Sequence, residues 1–379
     1  MRLLLNEDER QLRDAAQVFL AEQSGVGALR NLRDSKDARG YDEVVWSKMA
    51  EMGWLGMLIP EQYGGLDFGF KGLGALFEQS GRHLVANPLL SSVVLGGGLL
   101  LRMASQEQCA HWLPAIANGE ALLALALEEG ARHDPRKVNT RAMKTANGWQ
   151  LDGEKWLVLD GHVADRLIVV ARTAGKVGQE HGLSLFFLDP ATSGVSVHRT
   201  HMIDSRNAAY IVFNKVQIPA DALLGEADHA FAHLDIVLDQ ARACLAAEGM
   251  GVMREAFERT VDYLKQRVQF DVVIGTFQAL QHRLARLHVA LELCQSAVAA
   301  ALAAQAEPGP ESALLTSLAK ARASDLSELL LNEAVQLHGG IGVTDELDLG
   351  LFIKRGRSLQ QSFGDAVFHR DRYARLKGF

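Results

Sequence analysis

Residues 148–161 read GWQLDGEKWLVLDG, a β-rich run with a tight turn expected at Asp152-Gly153. Four similar runs follow it: DRLIVVART at 165–173, LSLFFLD at 183–189, VSVHRT at 195–200 and AAYIVFNKVQI at 208–218. Together they mark a small β domain from about Ala121 to Leu224. On both sides of it the texture is helical. From Glu7 to about Asn118 the apolar spacing is that of helices, interrupted at IPEQYGGLDFG, residues 59–69, by a proline, paired glycines and an aspartate. After Gly225, the residues Phe231, Leu234, Leu238, Ala241 and Leu245 recur at three and four positions, which predicts a helix with one buried face. AEPGPES, residues 306–312, separates two later helices, because prolines around a glycine cannot continue one. Long helices on short connections predict a C-terminal helical bundle. The expected fold class is α+β, divided at 1–120, 121–228 and 229–379, and no internal repeat is visible.

A chain of 379 residues exceeds what one hydrophobic core usually serves, and its 48% apolar content can fill two or three. A net charge of -7 without long basic runs argues against nucleic acid or an anionic membrane surface as the main partner and points to a small molecule or another subunit. Cys109, Cys244 and Cys294 are widely spaced and odd in number, which fits apolar filling in a reducing compartment better than a disulfide framework. The opening MRLLLNEDERQLRDAAQVFL mixes acidic and basic residues in an amphipathic pattern unlike a signal peptide. No stretch was expected to approach 18 uncharged apolar residues, so the inferred location is cytoplasmic, with no membrane partner. No residue is assigned to a metal.

Several segments, in order along nearly the whole chain, resemble the flavin-dependent acyl-CoA dehydrogenases. LGMLIPEQYGG at 55–65 resembles that family's early loop, WQLDGEKWLVLDGHVADRLIVVAR at 149–172 its β-domain signature, and VQIPADALLGE at 216–226 the exit from that domain. RVQFDVVIGTFQALQHRLA at 267–285 resembles its Arg-x-x-Phe-Gly helix end followed by Phe-Gln, and AVQLHGGIGVTDE at 334–346 its Gln-x-x-Gly-Gly-x-Gly-x-Thr turn. QLHGGIGVTDE together with FGDAVFHRDR at 363–372 looks most like the small subunits of heteromeric acyl-CoA dehydrogenases of the pimeloyl-CoA or steroid side-chain type. The resemblance implies an all-helical N-terminal domain, a small β-barrel middle domain and a C-terminal four-helix bundle. It also implies FAD as cofactor, an acyl-CoA substrate and electron-transfer flavoprotein as electron acceptor.

By the same resemblance Arg267 reaches the pyrophosphate of a neighbouring subunit's FAD, a contact suited to the planar guanidinium fork. That implies a homo- or hetero-oligomer, a dimer at minimum and a tetramer by family packing. Phe270 reads either as core packing or as a wall near the cofactor, and Gln278 either as a surface amide or as an FAD hydrogen-bond partner. Gln336, Gly339 and Gly340 read either as a plain helix terminus or as backbone that lets a dinucleotide approach closely. His338 reads as a structural histidine. Asp239 and Arg242 match positions where the family meets the pantetheine arm and the substrate pocket, and could equally be an exposed ion pair.

Dehydrogenation of a thioester needs a carboxylate to take the α-proton and donors, including a backbone N–H beside the base, to polarise the carbonyl. The family's glutamate precedes a Gly-Thr pair. In SFGDAVF, residues 362–368, that alignment puts Phe363 on the glutamate, Gly364 on the glycine and Asp365 on the threonine. A second position used by some members is Ala241 here. Two candidate bases remain. Asp365 reads as a displaced base or a helix cap, and Glu248, two helical turns and about 10 Å beyond Ala241, as a pocket carboxylate or one half of an ion pair. Other departures accumulate. LEEGARHDP at 127–135 puts Glu128 on the threonine of the flavin-cradling loop, where a carboxylate near a reduced flavin is costly; Leu159 replaces the threonine beside flavin N5, and Asp271 the glycine of a tight helix end. Three functions follow as expectations: FAD-dependent α,β-dehydrogenation of a bulky or dicarboxylic acyl-CoA, within a heteromer or alone; a non-catalytic subunit supporting FAD bound by a catalytic paralogue; or a related flavoenzyme on a non-CoA substrate.

Overall fold

A computed structural model describes residues 3–379. The helices are α1 Glu7–Gln23, α2 Val26–Asp34, α3 Glu43–Glu51, α4 Phe70–Arg82, α5 Gly98–Met103 and α6 Gln106–Ala117, then α7 Phe231–Gln266, α8 Gln278–Ala304, α9 Pro310–His338, α10 Leu349–Gln361 and α11 Ala366–Leu376. The strands are β1 Leu123–Ala126, β2 Arg141–Thr145, β3 Gly148–Leu159, β4 Arg166–Arg172, β5 Leu183–Leu188, β6 Val195–His201, β7 Asn207–Pro219 and β8 Leu223–Leu224, with a hairpin of β9 Val268–Gln269 and β10 Val272–Val273 between α7 and α8. The chain forms two compact units. One comprises residues 1–31, 70–85 and 242–379; the other comprises 32–69 and 86–241, the boundary between them falling inside α7.

The second unit is built on one sheet, ordered β6-β7-β3-β2-β4-β5-β8, with β1 parallel to β4. The ladder ends at β6 and β8 without pairing those strands among the described residues, so the barrel is an open one. Leu151, Val169, Phe186, Ile211, Phe213 and Val216 belong to its buried core. The tight turn expected at Asp152-Gly153 is not there. The β2–β3 turn is Ala146-Asn147, and Gly153 lies inside β3 at a register shift against β7, with φ 146°. A bulge at glycine accounts for the pattern that suggested a turn. In the loop at 59–69, a side chain on Gly65 would place Cβ 1.9 Å from the Ile59 carbonyl oxygen, so the tight return requires glycine. A buried π-helical stretch, Leu89–Gly97, is tied to the turn just after β3 by Ser91 Oγ donating to Asp160 at 2.5 Å.

The first unit is helical. Asn6 and Glu9 form a reciprocal capping box at the start of α1, the side chain of each accepting from the other's amide at 2.8 and 2.7 Å, which satisfies two donors that the helix leaves free. α9 is the central element, with α8, α10 and α11 packed on it. By length and composition alone α8 can cross a membrane, but it carries Arg283, Arg286 and Glu292 and buries Leu287, Leu291, Cys294, Val298 and Leu302 within this unit. The three cysteines are unbridged and buried, and burial pushes the Cys294 thiol up to about 12, as suits apolar filler.

α4 and α7 cross at glycine. A Cβ on Gly251 would meet the Glu78 carbonyl oxygen at 1.9 Å, and one on Gly81 the Glu248 carbonyl oxygen at 2.1 Å. Backbone against backbone leaves no flexible atom to yield. Gly251→Ala is therefore expected to lower stability by about 1–3 kcal/mol, read as a reduced urea midpoint, through overpacking of that crossing.

Candidate functional site

The turn between α10 and α11 carries Phe363, the position that the family resemblance aligns with the base. Phe363 and Gly364 both adopt positive φ, 52° and 110°. For phenylalanine the left-handed region costs about 1–2 kcal/mol, so neighbouring contacts must hold it. Two buried cations do so. Arg242, fully buried on α7, donates from Nε to the Phe363 carbonyl at 3.0 Å, and its guanidinium lies 5.5 Å from the Phe368 ring centre. His369 Nε2 lies 3.2 Å from the same carbonyl. From α9, Lys320 Nζ donates to the carbonyls of Leu359 at 2.7 Å, Gln360 at 3.4 Å and Gly364 at 3.1 Å. Burial, reinforced by Arg242, pushes the Lys320 ammonium down to about 7. Lys320 was missed at the sequence level, although a lysine amid Ala319, Ala321 and Ala323 on a buried helix face was a legible signal.

Asp239 and Arg242 are not an exposed ion pair: they are 4% and 0% exposed. Ala241 between them is fully buried, as is nearly all of Phe363. The two candidate bases are engaged elsewhere. Asp365 caps α11, its carboxylate accepting from the Phe368 amide at 2.8 Å. Glu248, 4% exposed, is held by both arms of the Arg355 guanidinium at 2.8 and 2.7 Å. Removing one partner of such a buried pair strands the other charge, so Arg355→Met is expected to cost about 3–5 kcal/mol in denaturant titration.

The candidate cofactor residues gather at one end of the helical unit. Tyr263 stacks on His338 at 4.5 Å and donates from Oη to the His338 carbonyl at 3.2 Å, joining the end of α7 to the end of α9. His338 itself is buried, with Nδ1 2.8 Å from the Ala334 carbonyl oxygen, in keeping with a structural role. Arg267 just past α7, Gln278 at the start of α8, Gln336 in the last turn of α9, and Gly339 and Gly340 just past it are all exposed. A Cβ on Gly339 or Gly340 would meet no atom within 4 Å, so this backbone is open to a close ligand. Phe270 is 84% exposed, which excludes core packing in the protomer, and it meets Phe277 edge to face at 6.4 Å. Asp271 does not alter a helix end. Phe270 and Asp271, with φ 54° and 64°, are the two turn residues of the β9–β10 hairpin, where positive φ at both positions matches the strand twist.

Family comparison decides the identity. The acyl-CoA dehydrogenase N-terminal, middle and C-terminal domain models match residues 6–120, 124–216 and 234–376. The chain belongs to the acyl-CoA dehydrogenase family. It is 32% identical to the pig (Sus scrofa) mitochondrial long-chain specific acyl-CoA dehydrogenase over 306 residues, covering 79% of this chain and 70% of that one. It is 29% identical to the caffeyl-CoA reductase-Etf complex subunit CarC of Acetobacterium woodii over 91% of each chain. Among solved structures, a variant of the Tcur3481-Tcur3483 steroid ACAD aligns with a TM-score of 0.86 at 29% identity, over 98% of both chains.

Acyl-CoA dehydrogenases are FAD-dependent oxidoreductases acting on CH–CH bonds, in which the flavin accepts the hydride that leaves the β-carbon. The exposed end suits one part of that cofactor: Arg267 offers a forked donor set for a pyrophosphate, Gln278 and Gln336 offer amides, and Gly339-Gly340 offers open backbone. The loop at 127–135 is held by protein partners. Glu128 pairs with His133 and accepts from the Trp156 amide through its carbonyl at 2.7 Å. Glu129 accepts from buried Lys155 at 2.6 Å and from the Thr140 amide at 3.0 Å. Against the opposing effect of burial, those contacts hold Glu129 below the usual carboxylate range. The Glu128 carboxylate is thus matched by an imidazole rather than left bare beside a flavin.

Proposed function

We propose that this chain is one subunit of a heteromeric, cytoplasmic acyl-CoA dehydrogenase, and that a paralogous partner supplies the carboxylate that removes the α-proton. One observation carries the reading. Positions 363 and 241 hold buried Phe and Ala, while Asp365 is spent on a helix cap and Glu248 on Arg355. No described residue at those positions is a base ready for the α-proton. What this chain contributes is the turn pinned by Arg242 and Lys320, the buried Asp239, and the exposed face with Arg267 for FAD held across a subunit boundary. Exposed Val268, Phe270, Val272, Phe277 and Val343 near that face favour a partner that covers them. The similarity to a steroid ACAD with a two-part name supports a bulky acyl group, and the similarity to a subunit of an Etf complex supports electron-transfer flavoprotein as acceptor.

The test is the visible spectrum of the purified chain with FAD, without oxygen, before and after a panel of acyl-CoA thioesters. Little or no bleaching is expected from the chain alone, and rapid bleaching on adding the paralogous partner. Rapid reduction by the isolated chain would sink the need for a partner. Phe363→Glu puts a carboxylate where the family has one, beside two buried cations that favour its ionised form, and is expected to raise flavin reduction by about 10²-fold or more. Phe270→Asp is expected to shift the assembly toward smaller species by light scattering and to weaken FAD retention, because it places a charge in the apolar face.

A further inference from the structure

Lys320 is a buried titratable group that the proposed chemistry does not use. It is 2% exposed, in the middle of α9, and its contacts are all main-chain carbonyls: two at the end of α10 and one in the turn at Gly364. An ammonium has three N–H donors and no acceptor, which matches three carbonyls one for one. A neutral amine has two hydrogens and a lone pair, so one carbonyl loses its donor and faces repulsion.

We propose that Lys320 is the positioning residue of the Ser362–Asp365 turn, clamping it against the end of α10 in the protonated state and releasing it on proton loss. The inference rests on the reading that position 363 lies beside the thioester. The charged groups around the ammonium set how easily it lets go. Arg242 from α7 disfavours it and Asp365 at the start of α11 favours it. His369 shares the Phe363 carbonyl with Arg242, Arg372 is turned to Ser317 and the Ala313 carbonyl, Arg355 is matched with Glu248, and on the α8 side Arg283 is matched with Glu333. Burial is the largest influence, and it brings release to about 7.

The sign is definite. Because the folded-state value lies below that of an unfolded lysine, the unfolded chain holds more protons between about 7 and 10.4, and global stability rises with pH across that window. The turn itself loosens over the lower part of the same window. A buried lysine that held nothing in place would show the first effect and not the second.

Amide hydrogen exchange read by mass spectrometry on peptides spanning residues 359–368, corrected for intrinsic rates, tests this on the whole protein without thioester. Between pH 6 and 8.5 the native chain is expected to lose about tenfold of its protection there, while β4 loses none. Lys320→Met is expected to be low in protection at both values, with no step. A flat native profile, or a step that survives in Lys320→Met, overturns the proposal. Should Lys320→Met not fold, His369→Asn decides: a step that persists supports Lys320, and one that vanishes assigns the titration to His369 and overturns it. Binding of 3-thiaoctanoyl-CoA, which the flavin cannot oxidise, to the FAD-loaded assembly over the same pH range separates the two readings. An exchange step accompanied by weaker binding supports both. An exchange step without any change in binding supports the clamp and refutes the placement of the turn at the thioester.

Discussion

The conformation of the turn at Phe363-Gly364 depends on two buried cations whose partners there are neutral carbonyls. Burying a charge costs several kcal/mol unless its donors are satisfied. Arg242 and Lys320 meet that condition by drawing in the carbonyls of Phe363, Gly364, Leu359 and Gln360. The carbonyls at the end of α10 lack intrahelical partners in any case, so Lys320 satisfies them while satisfying itself. The helix terminus, the left-handed Phe363 and the start of α11 are thereby set by one arrangement.

This arrangement explains how the turn survives without its carboxylate. In a protein whose base sat at position 363, the two cations would also balance a negative charge. Here the side chain is a buried phenyl ring, and Asp365, the nearest carboxylate in sequence, is occupied by the Phe368 amide. The donors and the left-handed backbone are present with no carboxylate at position 363. On the proposed reading, a polarising frame without its own proton acceptor fits a division of labour between paralogues better than a degraded enzyme, since two idle buried cations would only be a cost.

The sequence made the layout readable because each boundary is written in local chemistry. Asn6 and Glu9 cap α1, Pro308 lies between α8 and α9 while Pro310 opens α9, and the β-rich runs become the sheet. It misled where one residue type serves two backbone geometries. Gly153 suits a turn or a bulge, and only pairing with β7 selects the bulge. Asp271 suits a helix end or a hairpin, and the β9–β10 pairing selects the hairpin. The site was less legible still. Arg242 stood out by family likeness, but its partner is a backbone carbonyl 121 residues away, which no spacing announces. Glu248 could be given its face of α7, but not its partner Arg355, 107 residues away.

The exposed end and the pinned turn obey opposite rules, and the difference follows from what each must meet. Arg242 and Lys320 act on this chain's own backbone and are buried. Arg267, Gln278 and Gln336 face outward, their groups available to something the protomer does not contain. An exposed phenylalanine held in a left-handed turn is unfavourable twice over, in hydration and in backbone conformation. A covering surface would reduce the first cost and leave the second to the turn's own geometry, which is the physical support for the proposal that this face meets another subunit.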